Sequence, residues 1–204
     1  ARVLRMDYDT TRTRESYEKI LSAFGKGEAD VLVGTQMIVK GHDFPNVTLV
    51  GVLAADISLY ASDYRAAERT FQLLTQAAGR AGRGEQAGEA VIQTYMPEHY
   101  SIQAAVKQDY EAFYRQEIAY RNLMGYPPVE TMMGIYLSAG DQELLEEKTK
   151  ALGIFIREMQ QQEVLMIGPA DAALTRLNDR YRKVIYLKSR QEEKLLLIKN
   201  KTEH

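Results

Sequence analysis

Residues 75–83 read Thr75-Gln76-Ala77-Ala78-Gly79-Arg80-Ala81-Gly82-Arg83, at the end of a segment rich in Ala and Leu. Arginines three apart on a helical or turn-like backbone project to one side, so the guanidinium groups of Arg80 and Arg83 can converge on one anion. A guanidinium stays charged and grips phosphate oxygens through two parallel hydrogen bonds, which makes a phosphate the anion that fits. Gly79 and Gly82 omit the Cβ that would hold another backbone or a nucleotide away. Taken alone, the pattern fits equally well two solvated arginines beside a glycine-rich helix end.

Upstream, Asp30-Val-Leu-Val-Gly-Thr35-Gln-Met-Ile-Val-Lys40-Gly41-His-Asp43-Phe-Pro-Asn-Val-Thr-Leu-Val50 changes the balance. Val31 to Val33 has the short apolar run of a buried parallel strand, opening into a loop that holds Thr35, Gln36, Lys40, Gly41 and Asp43. A second apolar run, Val47 to Leu53, follows. Open α/β sheets bind ligands at the carboxyl ends of their strands, so both stretches are expected to line one edge of one sheet.

The two patterns, G-T-x-x-x-x-K-G-x-D and Q-x-x-G-R-x-G-R, resemble motifs V and VI of superfamily 2 helicases. The wording Lys40-Gly41-His42-Asp43-Phe44-Pro45-Asn46-Val47, then Ala55-Asp56, Asp63-Tyr64-Arg65-Ala66-Ala67-Glu68-Arg69 and Gln76 to Arg83, resembles the PriA family of primosomal replication-restart helicases. The resemblance implies an ATP-dependent 3′ to 5′ DNA helicase that recognises stalled or branched forks and promotes primosome assembly. It also implies that Arg80 and Arg83 are arginine fingers on the γ-phosphate of ATP with Mg²⁺, and that Gln76 senses the nucleotide. Gly41, Asp43 and Gly79 would couple nucleotide state to DNA, which Thr35, Gln36 and Lys40 would hold by its backbone. Relatives often carry two acids where this chain has Ala54-Ala55-Asp56, so only Asp56 carries over. A lone His42 in a loop is given no catalytic role.

No stretch matches G-x-x-x-x-G-K-[ST] or an acidic metal and water site ahead of motif V, so this chain alone is expected not to hydrolyse ATP. The start at Ala1 with a strand-like Arg2 to Asp7 suggests a piece of a longer protein. By the resemblance, the P-loop lobe and a zinc-binding, cysteine-rich insertion belong to that parent, and no zinc is expected in this chain. With no cysteine there is neither a disulfide framework nor a thiolate zinc site in these 204 residues. Net charge is -2, so any DNA site must be a local patch. No apolar run has the length of a bilayer span, and no signal peptide is recognisable; a cytoplasmic protein without a membrane partner is the expectation.

The expected fold class is α/β: a RecA-like second helicase lobe over 1–96, a helical connector over 97–128, and a small α/β domain over 129–204. Strand Arg2 to Asp7 leads to a helix from Arg14 to Phe24 with Tyr17, Ile20, Leu21 and Phe24 on one face, ended by Gly25 and Gly27. Strand Asp30 to Gly34 completes a βαβ pattern. Strand Val47 to Leu53, a helix capped by Ser62 or Asp63 and running to about Gln76, and strand Glu89 to Tyr95 follow. One helix is expected from His99 to Met124, its aromatic stripe serving packing, with a stop at Gly125-Tyr126-Pro127-Pro128.

Beyond it come strand Thr131 to Leu137, amphipathic helix Asp141 to Gln161, strand Val164 to Ile167, a loop from Gly168, strand Tyr181 to Leu187 and a helix from Gln191. Around Tyr181 stand Arg176, Arg180, Arg182 and Lys183, opposed by Asp171 and Asp179. Basic side chains interleaved with an aromatic suit single-stranded or branched DNA. They suit equally an acidic peptide, such as the tail of single-strand DNA-binding protein that the resemblance implies as a partner alongside primosome components, or the solvated rim of a small domain. Another superfamily 2 translocase, RecG-like or acting on RNA, and a non-catalytic binding module remain as rival readings.

Overall fold

β1 (Val3–Met6) pairs in parallel with β2 (Val31–Gly34), Val3 opposite Val31 and Met6 opposite Gly34, across helix α1 (Arg14–Gly25). The computed structural model describes residues 1–39, 44–82, 87–159 and 162–202. Thr13 caps α1 by accepting a hydrogen bond from the Ser16 amide at 3.2 Å, the residue type and position that a free first-turn N–H requires. Tyr17, Ile20, Leu21 and Phe24 are half-buried, and the Phe24 ring meets Phe44 edge-on at 4.9 Å. At Gly34 a Cβ would lie 2.1 Å from the Met6 carbonyl oxygen, so only glycine closes this parallel pair.

After a 3-10 turn at Gln36–Val39 comes β3 (Leu49–Val52), parallel to β4 (Glu89–Ile92) across α2 (Ala66–Ala78). α2 starts later than caps at Ser62 or Asp63 would place it, its N-cap position being Arg65. A 3-10 turn, Ala55–Tyr60, occupies the preceding stretch, and Asp63 accepts the Arg65 amide at 2.9 Å from outside the helix. Among the described residues these strands form two two-stranded parallel sheets, β1–β2 and β3–β4, and not the single sheet expected. Apolar periodicity identifies strands; it carries no information on which strands are neighbours.

The expected helix His99 to Met124 is two helices, α3 (Tyr100–Lys107) and α4 (Tyr110–Met124). Gln108 takes a left-handed φ of 52°, and Asp109 restarts the chain by accepting the Ala112 amide at 2.9 Å. α3 belongs to the core of the first unit: Phe71 and Leu74 of α2 pack with Ile102, Ala105 and Phe113. Phe71 and Phe113 stack at 4.3 Å. The chain divides into units Ala1–Arg115 and Gln116–His204, so the connector expected over 97–128 is shared between them.

The second unit is a three-stranded antiparallel sheet in the order β5 (Thr131–Ala139), β7 (Arg180–Ser189), β6 (Leu165–Leu177), with α5 (Gln142–Glu158) and α6 (Glu192–Thr202). Asp141 caps α5 through the Leu144 amide at 2.8 Å. In place of the loop expected from Gly168, β6 continues to Leu177 through two register shifts, the first at Gly168-Pro169. Asn178 and Asp179, both at positive φ, make the two-residue turn into β7. Ile185 and Leu187 of β7 pack with Ile156 of α5 and with Leu195 and Ile198 of α6.

Glu117 and Arg121 form a buried ion pair at 2.7 Å, and Arg121 also donates to the Pro127 carbonyl at 2.9 Å, fixing the chain's exit from α4. Removing one partner leaves a buried charge. Glu117→Leu is expected to destabilise the chain by about 3–5 kcal/mol in urea unfolding, whereas Glu117→Leu with Arg121→Met recovers all but about 1 kcal/mol, the share of the abandoned Pro127 carbonyl.

Candidate functional site

α2 does not stop cleanly at Ala78. The Gly79 amide donates to Thr75 O and the Arg80 amide to Ala77 O, both at 3.0 Å, and Ala81 continues the tightened turn to Ala78 O at 3.3 Å. Gly82 then takes φ +72° and donates its N–H to Val47 O at 3.0 Å. A Cβ on Gly82 would lie 2.5 Å from the Gly88 nitrogen, and one on Gly88 would lie 2.1 Å from the Gly82 nitrogen. The two glycines therefore let two backbone segments touch, and this contact fixes the turn that carries Arg80. Gly79, at φ −69°, is an ordinary helix-end position, so the freedom expected of both glycines is needed at Gly82.

Arg80 is half-buried and Gln76 exposed. Arg83, Lys40, Gly41, His42 and Asp43 lie outside the described residues. Thr35 and Gln36 are exposed, directly after Gly34, and the Thr35 carbonyl accepts the Ile38 amide at 3.1 Å to start the 3-10 turn. That turn packs on α2. So the Thr35 stretch and the Arg80 stretch meet through one helix, although not on one edge. Thr35 follows the carboxyl end of β2, while Gly82 docks beside Val47 and Gly88, at the amino ends of β3 and β4. For Thr35 and Gly82 the single-edge expectation is not met, because α2 runs back along β3 and β4 and delivers its carboxyl end to their amino side; the remainder of the two stretches, Lys40 to Asp43 and Arg83, lies outside the described residues.

Asp56 is buried in the 3-10 turn after β3 and accepts the Tyr95 amide at 3.0 Å, tying that turn to the exit of β4. This amide, helped by the Thr94 hydroxyl and opposed by burial, holds the Asp56 carboxyl below its ordinary value of 3.8.

The four basic residues of the β6–β7 hairpin separate into two kinds. Lys183 is held between Glu146 at 2.7 Å and Asp171 at 3.0 Å, which raises its ammonium above the ordinary lysine value. Arg176 pairs with Asp179 at 3.0 Å and lies 5.3 Å over the Tyr181 ring. Arg180 donates to the Ser138 carbonyl at 2.8 Å, and Arg182 lies 5.8 Å over the Tyr136 ring. Among the described residues neither Arg180 nor Arg182 is paired with a carboxylate. Tyr136 and Tyr186, beside them, escaped the sequence reading, although the alternation Met132, Gly134, Tyr136 already put an aromatic ring on one face of β5. No group of three His, Cys, Asp or Glu that could hold a metal occurs among the described residues, and no helix among them is long and apolar enough to cross a membrane.

Residues 2–85 match the family model of the helicase conserved C-terminal domain, and residues 122–202 that of the primosomal protein N C-terminal domain. The chain is similar to the replication restart protein PriA of Bacillus subtilis (strain 168), 47% identical over 205 residues, covering 100% of this chain and 26% of that protein. Against the PriA of Synechocystis it is 43% identical over 89% of the chain and 22% of the relative, and against that of Haemophilus influenzae 37% over 88% and 25%. The chain thus spans about a quarter of the length of these relatives.

Two outcomes follow from the geometry. Gly82→Ala is expected to lower stability by about 1–3 kcal/mol, through both the positive φ and the collision with Gly88, while Gly79→Ala has a smaller effect; thermal unfolding of the two variants reads the difference. A depressed carboxyl contributes stability above its ordinary range and loses it as pH falls through its folded value. Carboxyl NMR titration is therefore expected to place Asp56 below 3.8, and Asp56→Asn to remove its part of the acid loss of stability.

Proposed function

Since the chain belongs to the PriA family of replication restart proteins, we propose that it is the second motor lobe and the small terminal domain of an ATP-dependent 3′ to 5′ DNA helicase acting at stalled or branched forks. The observation that supports this most is the packing of the 3-10 turn after Thr35 on α2, whose carboxyl end leads into Arg80. Through that helix, a change at the phosphate-directed arginine can be felt at the backbone-directed threonine. The match of residues 122–202 to the primosomal C-terminal model favours this reading over a RecG-like or RNA-directed translocase.

In this proposal, ATP with Mg²⁺ supplies the phosphoryl bond whose cleavage drives the motor, and is held mainly by residues outside this chain. A guanidinium beside glycines suits polyphosphate oxygens, and the turn at Arg80 is fixed by backbone contact instead of by a flexible loop. Arg80 and Arg83 stabilise the charge that develops on the transferred phosphoryl oxygens. Gln76 orients a polar neighbour of the nucleotide, and Gly41, Asp43 and Gly79 carry the coupling. Thr35, Gln36 and Lys40 hold DNA phosphates, which positions the strand without reading sequence.

In the second unit, Arg176, Arg180, Arg182 and Lys183 are the proposed DNA-facing group, with the weight on Arg180 and Arg182. Single-strand DNA-binding protein and primosome components are the proposed protein partners. Zinc, if the parent uses it, is held outside this cysteine-free chain.

ATP turnover of the full-length parent, with and without forked DNA, tests the motor reading. Fork DNA is expected to stimulate turnover, and Arg80→Ala to lower it by about 10²-fold or more with unfolding unchanged, since arginine fingers contribute about 10³–10⁵ in phosphoryl transfer. Turnover indifferent to Arg80 would make the Gln76 to Arg83 stretch structural and the chain a binding module.

A further inference from the structure

The three-stranded sheet packs its helices on one face. Ile185 and Leu187 of β7 pack with α5 and α6, so strand alternation turns Arg180, Arg182, Val184, Tyr186 and Lys188 to the opposite face, where Val184 and Lys188 are themselves buried. Register places Ser138 opposite Arg182 and Gly134 opposite Tyr186 on β5, and Ile167 opposite Tyr186 on β6. Tyr136, opposite Val184, is 55% exposed and Ile167 43%.

On this face the Tyr136 and Tyr186 rings meet edge to face at 6.3 Å, with their hydroxyls 3.1 Å apart. Gly134 makes room for them, because a Cβ there would stand 3.1 Å from the Tyr136 ring and 3.2 Å from the Tyr186 ring. The Arg182 guanidinium lies over Tyr136. Arg176 and Lys183 are neutralised by Asp179 and by Glu146 and Asp171, so the hairpin's uncompensated charge, on Arg180 and Arg182, coincides with the tyrosine face.

We infer that this face is a stacking platform for unpaired bases of a single nucleic-acid strand, with Tyr136 and Tyr186 meeting bases and Arg180 and Arg182 meeting phosphates. An exposed ring, Tyr136, backed by the half-buried Tyr186 and standing beside cations, is the combination that a strand of bases and phosphates fills at both ends of its chemistry. An acidic peptide would answer the arginines and leave the rings without a counterpart; an apolar partner would bury two uncompensated charges. The platform rests on the reading that the parent works on DNA and adds to it which bases it engages: those already out of a duplex. It places no requirement on sequence, since every base has a π face.

Fluorescence anisotropy of a labelled oligothymidylate of about 15 nucleotides, titrated with this chain at low salt, tests it. Tyr136→Ala is expected to weaken binding about 5- to 100-fold and Tyr136→Phe to stay within about twofold, because the ring is retained. An oligonucleotide with abasic sites in place of thymines should bind the wild type at least as weakly as the thymidylate binds Tyr136→Ala, since it forfeits stacking on both rings. Arg182→Ala should flatten the dependence of log K on log salt by about 0.7.

If Tyr136→Ala folds poorly by circular dichroism, the abasic strand on the wild-type chain still decides. Equal binding of the two strands, or thymidylate affinity untouched in a folded Tyr136→Ala, overturns the platform, and would do so even where Arg80→Ala abolishes the parent's turnover. Binding of a labelled acidic peptide that Arg182→Ala removes, with neither strand bound, also overturns it and assigns the face to a protein tail.

Discussion

Burial of α2 is the constraint on which the first unit depends. Leu74 has no exposed surface, Phe71 almost none, and together they pack with Ile102, Ala105 and Phe113. Thr70, equally buried, satisfies its hydroxyl on Ala66 O at 2.8 Å and on the Ser58 hydroxyl at 2.6 Å. The same helix touches β3, β4, both 3-10 turns and α3. Each of the large α2 side chains contributes about 1.5–3 kcal/mol by burial, against about 0.3–0.5 for an exposed helical ion pair such as Arg14–Glu18 or Lys19–Glu15. Packing of α2, and not surface charge, therefore decides where its carboxyl end emerges and where Arg80 stands.

β7 has the equivalent role in the second unit, as the middle strand with one apolar and one polar-aromatic face. Its tolerance of a buried lysine shows how tightly the face is closed at one end. Lys188 donates to the Met124 carbonyl at 2.9 Å and sits 3.7 Å from the centre of the Tyr126 ring. Burial pushes its ammonium below the ordinary lysine value, and Glu130 pulls it partly back. A cavity of about 530 Å³ lined by Glu130, Glu163, Lys188, Arg190 and Gln191 opens beside it. The open part of the face thus lies toward the hairpin, at Tyr136, Ser138 and Arg180, while Val184 beneath them is buried.

Much of this architecture was legible because periodicity and capping residues carry it. Thr13 and Asp141 announce their helices, and the apolar runs at Val31 and Leu49 announce strands. What was not legible is what depends on partners distant in sequence. Nothing local tells β2 to pair with β1 and leave β3 to β4. The Gly168-Pro169 pair reads as a loop, yet β6 absorbs it as an irregularity because β7 keeps pairing beyond it. At the candidate site, the close backbone approach at Gly82 was readable from its pattern, whereas its partner is another glycine that no spacing connects to it. The basic hairpin read as four equivalent charges. Only the register, which sets Asp171 opposite Lys183 and Glu146 within its reach, separates the neutralised from the free.

A net charge of -2 does not oppose a nucleic-acid role, because charge acts here over contact distances. Interactions between exposed charges are screened within about 8–10 Å at physiological salt, so the total matters less than what each cation has beside it. Where a carboxylate stands at 2.7–3.0 Å, as at Lys183, the cation is unavailable to a strand. Where a guanidinium is held by a carbonyl or lies over a ring, as at Arg180 and Arg182, it keeps its charge while its position is set. Orientation by neutral groups achieves what an ion pair would cancel. Fixing an arginine with backbone and aromatic partners instead of acids is therefore how a slightly acidic chain presents a positive face.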